Sequence, residues 1–291
     1  MIKQVSYFSP AKINLFLEVL SRRSDKYHEI NSLICFCDIG DFIEVTESNV
    51  LKLQIKGPFA KELPSNNNIL IKTHEILNRY FKINNFNINL TKNLPIASGI
   101  GGGSSNAATL FRIIESHLNL KIDIKLKNKI LLEIGADVPI CYYQRLSIVS
   151  GIGEKIQYLQ PISDTYILLI NPLVEVSTKE IFKNLNIFSR KKTILSDLDI
   201  KKRVFLNKII KSKNDLELVA KSKYSSISEV IEIMDKESNA ILVRMSGSGA
   251  TCFALFHSIK DRDLAYKRII KKKKSWWIKK GKILNKAKFI T

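Results

Sequence analysis

Long apolar runs are missing from this 291-residue chain. No stretch approaches the roughly 20 residues a helix needs to cross a bilayer, so no membrane span is expected. The opening residues, Met1-Ile-Lys-Gln-Val-Ser-Tyr7, hold no apolar segment of the secretory kind, and a cytoplasmic protein is expected. Cysteine is scarce. Its four copies, at 35, 37, 141 and 252, match neither a zinc spacing nor a disulfide framework, which fits a reducing compartment. No dedicated cluster of metal ligands is visible, no tandem repeat appears, and no long Pro- or Ser-rich linker divides the chain. The length lies near where single cores begin to split, so two lobes of one compact protein are expected, residues 1–159 and 160–291.

Acidic residues are few, 27 against 47 Lys and Arg, leaving a formal charge of +20. Of the 32 residues from Lys260 to Thr291, 13 are Lys or Arg and 2 are Asp, so over half of the excess sits there. A basic tail with Lys271 to Lys274 followed by Trp276-Trp277 is one footprint of an RNA-binding protein. However, lysine, isoleucine and asparagine are abundant throughout, as in proteins from A- and T-rich coding DNA, and no nucleic-acid motif is present. A solvated basic face is therefore preferred and no nucleic-acid partner is expected. A positive surface also steers anionic substrates inward.

Glycine is concentrated where it matters. In Leu94-Pro-Ile-Ala-Ser-Gly-Ile-Gly-Gly-Gly-Ser-Ser-Asn-Ala-Ala108, a glycine-rich loop runs straight into a helical apolar pattern, Ala107, Ala108, Leu110, Phe111, Ile113, Ile114 and Leu118. Glycines 99, 101, 102 and 103 let the main chain approach an anion, and the helix start offers unpaired N–H groups. Ser104 or Ser105 is the expected N-cap. The loop lacks the Gly-Lys-Ser/Thr ending of a Walker A motif, and the dinucleotide fingerprint does not follow in order. Strands are expected at Ile13–Leu20, Asp41–Thr46, Leu51–Ile55, Phe86–Thr91, Tyr166–Asn171, Ile241–Met245 and Thr251–Phe256. Helices are expected at Ile69–Phe81, Ile124–Ile134, about 178–185, 201–211, 215–221 and 226–236, and from Asp261. Mixed strands with late helices argue for an α+β fold.

The glycine loop resembles the phosphate-binding motif of the GHMP kinases. Ser9-Pro-Ala-Lys-Ile-Asn-Leu-Phe-Leu17, Tyr27-His28, Gly135-Ala-Asp-Val-Pro139, Gly151-Ile-Gly-Glu154, Asn214-Asp-Leu-Glu217 and Met245-Ser-Gly-Ser-Gly-Ala-Thr-Cys252 fall in the order found in one branch of that superfamily. The resemblance covers Ser9 to Phe256 and implies a two-lobed GHMP kinase fold. Its N-terminal lobe would be of the left-handed βαβ kind shared with a ribosomal protein domain, and its C-terminal lobe ferredoxin-like. It further implies ATP-dependent phosphorylation of the 2-hydroxyl of a cytidine-diphosphate-linked methylerythritol, on the non-mevalonate route to isopentenyl diphosphate. ATP would be the phosphoryl donor, with Mg2+ carried on it, and the enzyme a monomer or homodimer. Homoserine and mevalonate kinases are the alternatives within the superfamily; Tyr27-His28 and the run Gly-Gly-Gly-Ser-Ser speak against them.

By this resemblance Asp137 is the catalytic base and Lys12 its partner, although an Asp between Gly135-Ala136 and Val138-Pro139 serves equally as a turn residue bonding nearby backbone. Pro95, Ile96, Ala97, Ser98, Gly99, Ile100, Gly101, Gly102, Gly103, Ser104 and Ser105 would hold ATP. Asn14 lies two residues beyond Lys12, on the same strand face, and would bond the substrate. Tyr27 and His28 would read the cytosine, with Phe182 stacking on its other face. Ser246, Gly247, Ser248 and Gly249 form a second glycine-rich turn assigned to the substrate's phosphates. Lys26 stands where the family usually has glycine, so a loop that needs positive φ there must adjust. Asn214 is expected to cap a helix.

Overall fold

Two long strands set the scale of the first sheet. In the computed structural model, which describes residues 6–64, 67–162, 164–201, 204–237 and 239–285, β1 (Ser6–Arg22) and β2 (His28–Ser48) form one antiparallel hairpin. The pairing runs from Ser6 opposite Glu44 to Arg22 opposite His28, with irregularities at Pro10/Lys12, Asn14/Phe16 and Val19/Ser21. Proline has no N–H for the ladder, so a bulge at Pro10 is its natural place, and such bulges re-aim the side chains around them. The N-terminal half of β2 also pairs β5 (Ser147–Gly151), and its C-terminal half pairs β4 (Asn85–Thr91). β3 (Lys52–Lys56) lies parallel to β4, and β6 (Lys155–Tyr158) closes a hairpin with β5.

Helices α1 (Ile69–Phe81), α2 (Gly102–His117), α3 (Ile124–Ile134) and α4 (Val138–Tyr143) cover this sheet. The core between them holds Phe36, Ile43, Phe86, Ile88, Leu110, Phe111 and Ile114. The apolar periodicity read in the sequence for α1 and α3 matches their bounds residue for residue.

The second sheet has the order β10-β7-β9-β8, built from β7 (Tyr166–Asn171), β8 (Leu242–Met245), β9 (Cys252–Phe256) and β10 (Trp277–Lys282), all antiparallel. In chain order that is 4-1-3-2, the ferredoxin-like arrangement. Helices α5 (Thr178–Lys183), α6 (Asp197–Lys201), α7 (Phe205–Lys211), α8 (Asp215–Lys223) and α9 (Ser225–Asp235) fall between β7 and β8, and α10 (Ile259–Lys272) between β9 and β10. The helix expected over 201–211 is α7, with residues 202 and 203 outside the described range. A shared core joins the lobes, with Ile13, Phe16 and Leu33 against Ile167, Leu169, Phe253 and Leu255.

Several expectations need correction. β5, β6 and β10 were not foreseen, and β2 begins well before Asp41. Short strands with mixed burial give weak periodicity, and the sheet supplies the pairing that local sequence does not. Trp277 is a core residue of β10, 7% exposed, whose Nε1 donates to the Asn93 carbonyl at 3.1 Å. Neighbouring Lys273 covers the ring of Trp276, at 5.1 Å from its centroid. The two aromatics are therefore engaged within the protein. Nearby cations also have internal partners: Arg262 and Lys280 meet Asp263 at 2.8 and 3.0 Å, and Arg268 meets Glu237 at 3.0 Å. Residues 286–291 of the basic tail, and Met1 to Val5 of the segment read for a leader, lie outside the described range. All four cysteines are free and buried, and burial pushes the Cys37 thiol up to about 12. No helix among the described residues is long and apolar enough to cross a membrane.

Candidate active site

The glycine-rich loop ends in an uncapped helix. Gly101, with φ +63°, occupies the N-cap position of α2 and supplies no side-chain bond, and the serines lie inside the first turn. This corrects the expected serine cap: Ser105 already donates its N–H to the Gly101 carbonyl at 2.9 Å, and its hydroxyl meets that of Ser9 at 3.1 Å. The N–H groups of Gly102, Gly103 and Ser104 precede the first intrahelical bond and keep no helical acceptor, which is the geometry of an anion site.

Within the loop the residues divide by exposure. Ala97 and Gly103 are exposed, and Ile96, Gly99, Gly101 and Ser104 are half-buried. Pro95, Ser98, Ile100, Gly102 and Ser105 are buried and shape the loop from beneath; the Ser98 hydroxyl donates to the Pro95 carbonyl at 2.7 Å.

The second turn packs directly on the first. The Ser246 hydroxyl donates to the Gly99 carbonyl at 3.1 Å, and the Thr251 N–H donates to the Ser98 carbonyl at 3.1 Å. A Cβ added to Gly99 would sit 2.4 Å from the Ser246 carbonyl oxygen, and one on Gly247 would sit 2.7 Å from that of Gly99. Both glycines have positive φ. Only bare main chain permits this approach. Ser248 exchanges a 2.7 Å hydroxyl bond with Thr178 at the start of α5. Gly249 has φ +89° and packs against Met245.

Lys12 and Asp137 meet at this junction. Lys12 Nζ lies 3.0 Å from Asp137 Oδ2 and donates to Asn14 Oδ1 at 3.2 Å; its side chain is 8% exposed, whereas that of Asp137 is 48% exposed. A buried ammonium facing a solvent-accessible carboxylate leaves the carboxylate free to meet a ligand. Asp137 occupies the N-cap position of α4 yet makes no side-chain cap bond, so its carboxylate is not a local turn ligand. Gly101 packs on the lysine, since a Cβ there would lie 3.0 Å from Lys12 Cε. Asn14 is tied to the second turn and to the sheet: its N–H donates to Ser246 Oγ at 3.1 Å and its amide donates to Ser32 Oγ at 2.8 Å.

At the far end of the β1–β2 hairpin stand Tyr27, 60% exposed, and His28. His28 Nε2 is buried and has no hydrogen-bond partner, a state that usually calls for a ligand or water. Burial, with Arg22 as a lesser cause, holds the imidazole below its ordinary pKa. The His28 ring packs against Phe182 of α5, centroids 4.9 Å apart. Lys26 adopts φ +71°, so the turn keeps the backbone a glycine would take, and the expected adjustment does not occur. Such a conformation costs a non-glycine residue about 1–2 kcal/mol. The strain is held by Arg23 N–H to the Tyr27 carbonyl at 2.8 Å and by Tyr27 N–H to Asp25 Oδ1 at 3.1 Å.

Comparison with known proteins matches residues 68–145 to the GHMP kinases N terminal domain and residues 203–274 to the GHMP kinases C terminal domain. The 4-diphosphocytidyl-2-C-methyl-D-erythritol kinase of Agrobacterium fabrum is 36% identical, over 92% of this chain and 93% of its own. That of Sinorhizobium medicae is 35% identical, over 96% and 95%. This chain belongs to the 4-diphosphocytidyl-2-C-methyl-D-erythritol kinase family. A crystal structure of 4-(cytidine 5'-diphospho)-2C-methyl-D-erythritol kinase superposes with a TM-score of 0.77 at 23% identity, covering 96% of this chain and 98% of that one. A homoserine kinase from Cytophaga hutchinsonii reaches 0.76 at 17% identity, covering 100% and 98%. The fold is thus common to the GHMP kinases, and at these identities the two superpositions speak only to fold. The protein is an ATP-dependent small-molecule kinase of that superfamily.

The kinase site has supports that sequence reading passed over. Asp41, fully buried, accepts the N–H groups of Asn93 and Leu94 at 2.7 and 2.9 Å with one oxygen and the buried Lys92 ammonium with the other. Lys92 Nζ lies 3.0 Å from where a Gly102 Cβ would be, so this ion pair underlies both the loop entry and the helix start. Asn214 does more than cap α8, where it accepts the Leu216 N–H at 3.0 Å; its amide also donates to the Met245 and Gly247 carbonyls, each at 2.8 Å. Asp41 falls in ordinary strand sequence and Lys92 just past the end of β4, and nothing local marks them.

Proposed function

We propose that this protein transfers the γ-phosphoryl group of ATP to the 2-hydroxyl of 4-diphosphocytidyl-2-C-methyl-D-erythritol, giving the 2-phosphate and ADP, on the non-mevalonate route to isopentenyl diphosphate in the cytoplasm. The observation that carries this reading is the 3.0 Å contact of Lys12 with Asp137 beside the open N-terminus of α2. Phosphoryl transfer asks the protein to position the reactants and stabilise charge. The loop from Pro95 to Ser105 holds the nucleotide's phosphates with main-chain N–H groups. Asn14 orients the acceptor alcohol. As the alcohol oxygen bonds to the γ-phosphorus and the bond to ADP breaks, the hydroxyl proton passes to Asp137, and Lys12 holds that carboxylate in place.

Mg2+ enters on ATP, where it would neutralise charge on the transferring group. Among the described residues no three His, Cys, Asp or Glu side chains come together as a metal centre. Residues 1–159 form the lobe bearing the nucleotide loop; residues 160–291 add Phe182 and the Ser246–Gly249 turn. Tyr27, His28 and Phe182 are the cytosine readers, and the unpartnered His28 Nε2 supports that role. His28 and Phe182 are already in ring contact, so the base lies across the pair with Tyr27 closing over it. No nucleic-acid partner belongs to this reading.

The test is a phosphorylation assay of the purified protein with ATP and, side by side, the cytidine diphosphate substrate, mevalonate and homoserine. The cytidine compound is the expected substrate, and preference for either of the others overturns the reading.

A further inference from the structure

The segment that follows Phe188 is fastened at both ends to β1. At one end the Ser189 N–H donates to the Val19 carbonyl at 2.8 Å, and its hydroxyl donates to Asp215 Oδ2 at 2.7 Å. At the other, Thr193 gives its N–H to Glu18 Oε2 at 2.8 Å and its hydroxyl to Glu18 Oε1. Asn31, itself fully buried, donates to Glu18 Oε2 at 2.7 Å and to the Thr193 carbonyl at 3.0 Å. Between these fixed points the strap displays Arg190, Lys191 and Lys192, all exposed. Lys211 and Lys213, from the end of α7 and the turn after it, face them across a cavity of about 350 Å³.

Five cations around one concavity repel one another, and a free loop would open to relieve them. This one is clipped shut. Among the described residues Arg190, Lys191, Lys192 and Lys211 have no acidic partner, whereas Lys213 pairs with Asp215 at 2.8 Å. The anionic lining residue, Glu18, is buried, and its oxygens are occupied by the donors that secure the strap. The cavity lies at the small end of the range for small-molecule sites. Lys12, Asn14, Asp137 and both glycine turns take no part in its lining.

We propose that this cavity is a second anion site, separate from the catalytic one, that takes a di- or triphosphate chain, either inorganic or carried on a nucleoside. Neighbouring cations on a rigid strap suit consecutive phosphate groups, whose charge they match without local bending. The strap begins beside Phe188, whose ring centroid lies 6.4 Å from that of His28, so an occupant would sit next to the proposed cytosine subsite.

The test is titration calorimetry of inorganic tripolyphosphate into the full chain saturated with a non-hydrolysable ATP analogue and the cytidine substrate. One further saturable site per chain is expected. The double variant Lys191→Glu/Lys192→Glu should weaken it by about tenfold or more, with Lys211→Glu acting in the same direction, while kcat and thermal stability stay at wild-type values. A parallel titration with CTP distinguishes the sources: affinity equal to that of tripolyphosphate assigns recognition to the phosphate chain alone, and tighter binding adds the nucleoside. No saturable site in the wild type, or a site that charge reversal leaves intact, overturns the proposal.

Discussion

Gly99 and Gly103 stand four residues apart in the same loop, yet alanine should act on them in opposite ways. At Gly103, in the first turn of α2, an added Cβ meets no protein atom closer than 3.9 Å, the Ile69 Cγ2. Alanine in a helix is favoured over glycine by up to about 1 kcal/mol. The variant should therefore melt at the wild-type temperature or a few degrees above it, at about 2–4 °C per kcal/mol. On the proposed reading the same exposed Cβ would stand where phosphate oxygens approach the N–H groups of the turn, so KM for ATP should rise about tenfold or more with the fold intact.

At Gly99 alanine must hold φ +73°, which costs about 1–2 kcal/mol, and place its Cβ 2.4 Å from the Ser246 carbonyl oxygen and 2.8 Å from Gly249 N. Both obstacles are main chain and cannot swing aside. Overpacking of this kind adds about 1–3 kcal/mol. A loss of roughly 2–5 kcal/mol should separate the two turns, lower the melting temperature and raise KM for both substrates. Thermal melts followed by circular dichroism, together with steady-state KM values, decide the matter. If Gly103→Ala leaves KM for ATP within twofold of wild type, the phosphates do not approach this turn. If Gly99→Ala melts like the wild type, the contact between the two turns is not as described.

Other outcomes follow from the same geometry. Asp137→Asn keeps size and removes charge, so kcat should fall by about 10²-fold or more with ATP binding nearly unchanged; wild-type turnover would make Asp137 a turn residue. Asp41→Ala strands the buried Lys92 ammonium and frees two loop N–H groups, and chemical denaturation should register a loss of about 3–5 kcal/mol, whereas a loss under 1 kcal/mol would mean the pair does not hold the loop. Lys26→Gly relieves the φ +71° strain and should stabilise the protein by about 1 kcal/mol, read as a higher melting temperature; a decrease would contradict the turn geometry. Because burial lowers the His28 pKa, the neutral imidazole's contribution is complete above its ordinary value near 6.5 and is lost as pH falls through the lowered one. KM for the cytidine substrate should accordingly rise in acid, and His28→Ala should flatten that profile.

Local sequence by itself determined α1 and α3, because apolar residues at helical spacing bury one face whatever lies opposite, and it determined that a glycine-rich loop feeds an apolar helix. The motif residues Lys12, Asn14, Asp137 and Ser246 were legible as candidates from their order along the chain. Their meeting was not: Asn14 and Ser246 are 232 positions apart, and only the bulged β1 strand against the second lobe brings them to 3.1 Å. The helix start was misread for a related reason. Serine is the better cap on propensity, but Ser105 is held inside the turn beneath Ser9, and Gly101 takes the cap because a Cβ there would press on Lys12. Trp277 shows the same limit, since its neighbouring lysines suggested a solvated face while β10 pairs with β7 and turns the indole inward to the loop at Asn93. Spacing along a chain reports which face of an element is apolar. Which partner covers that face, and which distant carbonyl receives a buried donor, is settled only when the two lobes pack on their common core.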